Sequence, residues 1–359
     1  MPTAKQTTKQ GSNNVPKIPF VRAAHKLRQP AFQYNTAVLG AAIQNFGPND
    51  IPSGGFLRSI ILAIQGFGGV AGGGALAADA PWNILSSVEL SDVNGQALVY
   101  GNLNGYDLYL ANRYGAYLHG GIPDYVPAAN LIAVDNPAIF LRIPVEIDHT
   151  DGYGALPNLN AAEPYRVRLG FNTVGNVWAV APGVAPAFAV RAFSEDWSLP
   201  SEVDGNGNPQ STTPPNMNTT QYWSKTILPL VAGANDLRLT RMGNLLRNII
   251  LTFRTAAGVR FGVLPVDMRM TWDRYQLFNE DAIIRQMIMA ENLGHYGFAN
   301  PAGVLAYQFT EDGGAPANEK RNLWVPTMQP TEIRLSFTAA AGLAGGTLEI
   351  LTNDVAAAG

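Results

Sequence analysis

The sequence has no cysteine, so disulfides, thiolate metal sites and cysteine nucleophiles are excluded. It is also short of charge. Asp, Glu, Lys and Arg make up 14% of the 359 residues, against roughly 25% in ordinary soluble domains. Such a chain must keep its surface neutral with amides and hydroxyls, or cover much of it by assembly. No run approaches the ~20 apolar residues that a membrane-spanning helix requires. Met1 to Gln10 has no apolar signal core, which argues against secretion through a cleaved leader.

Reactive constellations are scarce too. His25, His119, His149 and His295 are far apart and offer no paired ligand spacing, so no metal is expected on them. There is no Gly-x-Ser-x-Gly elbow, and the glycine run from Gly66 to Gly74 lacks the Lys-Ser/Thr ending of a phosphate loop. Two oxygen-rich stretches, Asp148 to Gly152 and Asp204 to Asn208, could wrap calcium. The second has Pro215 where a calcium loop places its bidentate Glu, and both read equally well as turns. Glu195-Asp196 beside Trp197, and Glu311-Asp312, are the acid pairs to weigh for glycoside chemistry. That chemistry needs carboxylates facing each other across a cleft, whereas adjacent acids are ordinarily a solvated loop. Tyr and Trp are not interleaved with basic residues as a stacking platform for single strands requires. The reading is a non-enzyme without cofactor.

What the sequence does have is repetition. Phe56-Leu57-Arg58-Ser59-Ile60-Ile61-Leu62 recurs as Leu245-Leu246-Arg247-Asn248-Ile249-Ile250-Leu251. A second pair follows in the same order: the segment from Pro164 to Phe171 matches Pro330 to Phe337 at Pro, the β-branched position, Arg, Leu and Phe. Two collinear matches imply a duplicated unit, and the length suits two domains of roughly 150 residues. Arg58 and Arg247, each interrupting an apolar strand, read either as equivalent positions in two units or simply as edge or rim residues.

Short apolar runs bounded by Gly, Pro and Asn give the strand rhythm of an all-β sandwich or barrel. Val145-Glu146-Ile147-Asp148 and Arg166-Val167-Arg168-Leu169 alternate as half-buried strands should. Asn94-Gly95 reads as a hairpin turn. Helical spacing predicts one helix over Gly105 to Arg113 and another over Glu280 to Asn292, capped by Gly294. The stretch Ser194 to Tyr222 breaks the rhythm and reads as a linker or long exposed loop between two β units.

Charge is distributed unevenly. Lys5, Lys9, Lys17, Arg22, Lys26 and Arg28 precede the first acid, Asp50; beyond them 18 basic and 27 acidic residues leave a net −9. A basic arm on an acidic body suits contact with something anionic, or is an unordered terminus, and residues 1 to about 30 have the composition of a segment disordered alone.

These features, with the segments beginning Phe56, Trp82 and Tyr106, resemble the double jelly-roll major capsid proteins of the tailless bacteriophage and adenovirus lineage. The resemblance implies an all-β fold of two tandem eight-stranded jelly rolls, each with a short helix, behind a flexible N-terminal arm. The expected divisions are 1–34 for the basic arm, 35–198 for the first jelly roll, 199–222 for the linker and 223–359 for the second. It further implies a homotrimeric, pseudo-hexameric capsomer in an icosahedral shell, assembled in the host cytoplasm. Expected partners are the protein itself, neighbouring capsomers and minor capsid or vertex proteins. The six arm cations would face the interior and meet lipid, genome or neighbours. The rival readings are a carbohydrate-binding or carbohydrate-acting double jelly roll and a minor spike or vertex protein.

Overall fold

The computed structural model describes residues 15, 17–98, 100–101, 103–115, 139–213, 215, 220–239, 244–294, 300–310, 320–327 and 332–356. Period-two alternation of apolar residues lets each strand bury one face, and two such sheets must close on each other. The first unit contains β1 (Lys26–Asn35), β2 (Gln44–Asp50), β3 (Gly55–Phe67), β4 (Leu85–Ser91), β5 (Ile139–Pro144), β6 (Arg166–Phe171) and β7 (Ala187–Trp197). Its sheets run in the orders β1-β7-β3-β5 and β2-β6-β4, all antiparallel.

The second unit contains β8 (Gln221–Pro229), β9 (Gly233–Leu239), β10 (Asn244–Arg254), β11 (Met268–Trp272), β12 (Tyr275–Glu280), β13 (Val304–Gln308), β14 (Ile333–Ala339) and β15 (Thr347–Ala356). Its sheets run β8-β15-β10-β13 and β9-β14-β11-β12, so each strand of the first unit has a counterpart in the same place. The exception is β12. In the first unit its place is held by two isolated bridges, Ser91 to Ala97 and Val88 to Leu103. Among the described residues this is the eight-stranded jelly-roll order, complete in the second unit and one strand reduced in the first.

Both sequence repeats fall on equivalent strands. Phe56 to Leu62 lies in β3 and Leu245 to Leu251 in β10; Arg166–Phe171 is β6 and its match lies in β14. Pro330 and Thr331 of that match lie outside the described residues. One apolar core runs through both barrels, from Leu57, Leu62 and Phe171 to Phe253, Leu335 and Leu348. Aromatic rings pack edge to face within it, as Phe253 does against Phe337 at 5.5 Å.

Each unit carries its helix at the same point of the chain, after the β4/β11 side and before β5/β13. Helix α1 (Gly105–Tyr114) is opened by a capping box in which Asn104 accepts from Asp107 N and Asp107 accepts from Asn104 N. Gly105 is needed there because a Cβ would stand 2.0 Å from the Trp82 carbonyl oxygen. Helix α2 (Ala282–Gly294) takes in the glycine expected to end it. The expected turn is present at Gly95, at φ +80° behind an Asp92 side chain that accepts from Asn94 N and Gln96 N.

Three expectations change. Strand β1 pairs with β7 from Lys26 to Asn35, so the first barrel begins before residue 35, and β8 begins at Gln221. Order reaches still further toward the N-terminus. Lys17 to Pro19 pairs in parallel with Ser211 to Thr213, and Phe20 is buried with Phe56, Ala155 and Trp197. The arm is therefore docked from residue 17 onward, because Phe20 supplies the apolar anchor that the polar composition concealed. Finally, Val145 to Asp148 is a loop. The N–H groups of Val145 and Glu146 both donate to the Arg58 carbonyl, and Glu146 and Asp148 are buried.

Candidate functional site at the seam between the barrels

Among the described residues, the acid pair and oxygen-rich stretches weighed for chemistry do not converge. His25 is exposed, while His119 and His295 lie outside the described residues with Glu311 and Asp312. Glu195 and Asp196 are neighbours on one strand, so they point to opposite faces of the sheet. Glu195 is bonded to Ser59, Arg28 and Arg142 at 2.7, 2.6 and 3.1 Å. Burial opposes its charge, yet Arg142 and Ser59 hold its pKa below the usual carboxylate range. Asp196 is raised by burial, and Asn158 donates to it at 3.3 Å. These two cannot flank a glycosidic bond.

The oxygen-rich stretches are turns, as their alternative reading had it. Asp148 Oδ1 accepts from Thr150 N and Oγ1, and Asp204 Oδ1 accepts from Asn206 N and Asn208 N. A surface hollow of about 430 Å³ does hold two carboxylates, Asp236 and Asp267. Asp236 is bound by Arg334 and Ser336, and the Thr338 N–H holds Asp267 below its ordinary pKa. Asp267, held low, does not fit the raised-pKa general acid that glycosidases use, and Asp236 is already engaged by Arg334 and Ser336. Among the described residues no group of His, Asp and Glu could hold a metal ion.

What does converge is the seam between the barrels, and it starts at the repeated arginines. Opposite β7, Glu195 pairs with Ser59 and Asp196 with Leu57, leaving Arg58 as the extra residue of a β-bulge. Opposite β15, Asn353 pairs with Asn248 and Asp354 with Leu246, leaving Arg247 in the same state. The carbonyl of each accepts from the residue that leaves the next strand: Val145 after β5, Phe309 after β13. Both arginines lie on inner strands and are buried, so they are not edge or rim residues.

Arg58 Nε donates to Glu146 Oε2 at 2.8 Å, and its guanidinium lies 4.2 Å from the Trp197 ring centroid. Glu146 is fully buried and also takes the Trp197 indole N–H at 2.5 Å and His149 Nδ1. Gln221, opening the second barrel, donates to the Val145 and Glu146 carbonyls. Its Oε1 accepts from Trp223 Nε1 and Asn353 Nδ2, and Asn353 Oδ1 accepts from Arg247 Nη1 at 3.3 Å. The two bulges are thereby joined through buried polar groups whose bonds are satisfied across the seam.

Ion pairs lock the seam at its other end. Lys225 binds both oxygens of Asp107 on α1 at 3.1 and 3.0 Å. Burial raises the Asp107 pKa, and Lys225 offsets part of that rise. Asp79 of the first barrel binds Arg254 and Arg260 of the second at 2.7 and 2.8 Å, and both guanidinium groups lie over Tyr106. Sequence reading missed this set, since nothing in the local pattern ties Asp79 to residues so distant. The only local hint was charge inside otherwise apolar strands.

Of the arm cations, Lys5 and Lys9 lie outside the described residues. Lys17 and Arg22 sit on the docked segment, both exposed. Lys26 and Arg28 belong to β1; Arg28 pairs with Glu195, and Lys26 Nζ lies 5.6 Å from the Trp197 ring centroid.

No protein-family model matches the sequence, and no curated protein matches it significantly. Solved structures do match it over nearly the whole chain. The major capsid protein of bacteriophage PM2 aligns with 93% of this chain and 98% of its own, at TM-score 0.56 and 12% identity. That of the Sulfolobus turreted icosahedral virus covers 92% and 97%, at TM-score 0.61 and 12% identity. The Faustovirus major capsid protein covers 93% and 90%, at TM-score 0.51 and 8% identity. Strand order, duplicated bulge and end-to-end alignment agree: this chain has the double jelly-roll fold found in those viral major capsid proteins.

Proposed function

We propose that the chain is the major capsid protein of an icosahedral virus, acting as a structural rather than a catalytic protein. The observation that carries this reading is the fusion of two equivalent barrels through a buried polar seam, in a fold matched from end to end by major capsid proteins. Three copies supply six barrels, which approximate a hexagonal tile. Side-by-side packing of barrels also accounts for a surface with so little charge.

In this reading the partners are other copies of the chain, neighbouring capsomers and minor capsid or vertex proteins. The protein resides in the virion and assembles in the host cytoplasm. The basic arm faces the interior and meets lipid head groups, genome or a neighbour. Arg28 is committed to Glu195, so Lys5, Lys9, Lys17 and Arg22 carry most of that contact. Phosphate neutralisation of this kind weakens steeply with salt.

Electron microscopy of the purified protein tests the reading. Hexagonal tiles built of three chains are expected, with this chain as the dominant band of purified particles. A protein that stays monomeric at every concentration, or that is a trace component of particles, overturns it.

A further inference from the structure

Helices α1 and α2 are built into their barrels alike. Each starts behind a capping side chain: Asn104 accepts from Asp107 N, and Asp281 accepts from Ile283 N. Each also satisfies the outer edge of the neighbouring strand at one residue. Asn112 donates to the Arg142 carbonyl and accepts from Arg142 N. In the second barrel Arg285 donates to the Ala306 carbonyl, and Ala306 N donates to Met289 Sδ. Arg142 and Ala306 are equivalent, for they face Ile61 and Ile250, the third residue past each bulged arginine. Aligned on their first residues, the helices place Asn112 on Met289, in agreement with those bonds. The same alignment places Tyr106, Asp107 and Leu110 on Ile283, Ile284 and Met287.

The surroundings of these residues are opposite. Tyr106, Asp107 and Leu110 are buried, since α1 lies against the second barrel. Ile283, Ile284 and Met287 are 58%, 49% and 62% exposed, an apolar helix face in water. The sheets differ in the same way. Thr252, Val304 and Leu351, on the outer side of the second barrel, are buried beneath the seam. Their register equivalents in the first barrel, Ala63, Phe140 and Phe193, are partly exposed. One helix and one sheet face are joined within the chain, and one of each is left over.

We propose that the α2 face of one molecule seats on the β1-β7-β3-β5 sheet of a second copy, repeating between chains the contact that α1 makes within one. This rests on the capsomer reading and names its subunit contact. The charges agree with it. Lys225 faces Leu351, and Pro30 faces Phe193, so Pro30 is the counterpart of Lys225. Where the inner seam pairs Asp107 with Lys225, the contact between copies pairs Ile284 with Pro30, both apolar. The contact is heterologous, leaving each copy one free helix and one free sheet until a ring closes.

The test uses the full chain, with light scattering and sedimentation for assembly and circular dichroism for folding. Ile284→Asp lies on an exposed face and should leave a folded protein whose association is weaker by about tenfold or more, since it buries an unpaired charge. Pro30→Lys added to it recreates the Asp107–Lys225 pair between copies and should restore assembly. Met287→Gln, a milder change on the same face, should weaken assembly less than Ile284→Asp and also leave the fold intact. Assembly of every variant at parental strength overturns this contact while leaving the capsomer reading standing. Loss of assembly without recovery in the double variant overturns the pairing with β1. A parent that never assembles overturns both.

Discussion

Arg58 and Arg247 occupy the same bulged position on equivalent strands, and a path of buried hydrogen bonds connects them through Glu146, Gln221 and Asn353. A duplicated residue has thus become a joint between the two halves. Each bulge turns an arginine carbonyl toward the residue leaving the neighbouring strand and aims its side chain into the seam. The arrangement joins the two barrels through buried hydrogen bonds.

The Arg58–Glu146 pair should be the most sensitive part of that joint. Removing one member of a buried ion pair costs ~3–5 kcal/mol, because the remaining charge loses its strongest partner, here leaving Glu146 with Trp197 and His149. Arg58→Met is expected to destabilise the protein by about that amount. Adding Glu146→Gln should recover part of the loss, since no charge is then left behind. Urea unfolding of the parent and the three variants measures the coupling, and strict additivity would contradict it.

Glu195 and Asp196, adjacent in sequence, should show opposite pH dependence. Glu195 is held below the usual range by Arg142 and Ser59 against the effect of burial. Its contribution is therefore full above the ordinary glutamate value of ~4.3 and is lost as the pH falls through the folded value. Glu195→Gln should lower stability by about 1–3 kcal/mol at neutral pH, and the difference should shrink as the pH falls below the ordinary glutamate range. Asp196 is raised by burial, so its contribution is present below the ordinary aspartate value of ~3.9 and is lost as the pH rises. Asp196→Asn should match or exceed the parent at neutral pH and lose that advantage in acid. Melting temperatures across the range decide both.

Truncation should separate the arm into two parts. Removing residues 1–14 leaves Phe20 and β1 intact, so the melting temperature should hold while particle assembly declines. Removing residues 1–30 takes away Phe20 and half of β1, and should unfold the first barrel. Phe20→Ala alone should cost about 3 kcal/mol. Thermal melting with electron microscopy of assembly reactions checks each step; a stable protein lacking residues 1–30 would refute the docking.

Asp79 should couple the unfolding of the barrels, because it binds two arginines of the second barrel from the first. Asp79→Ala is expected to cost about 2 kcal/mol through those charge-assisted bonds. It should also broaden or split a single calorimetric transition. An unchanged sharp endotherm would show that the rest of the seam suffices.

Much of the architecture was legible in the residues. Leu-Arg-x-Ile-Ile-Leu at two places announced a duplicated strand, and strand spacing with helices at Gly105 and Glu280 announced the class. The scarcity of histidine pairs, elbows and phosphate loops left no local motif on which an enzymatic reading could rest. These signals are local, carried by period-two alternation, capping residues and composition, and they survive without knowledge of distant contacts. The tertiary structure alone decided the rest. Phe20 anchors a polar arm because Phe56 and Trp197 meet there, and Glu146 is buried because Arg58, Trp197 and His149 surround it. Two helices of equivalent origin end up with opposite exposure because only one has a second barrel beside it. Periodicity tells which face of a segment is apolar; what covers that face is set by residues far away in the chain, or in another copy of it.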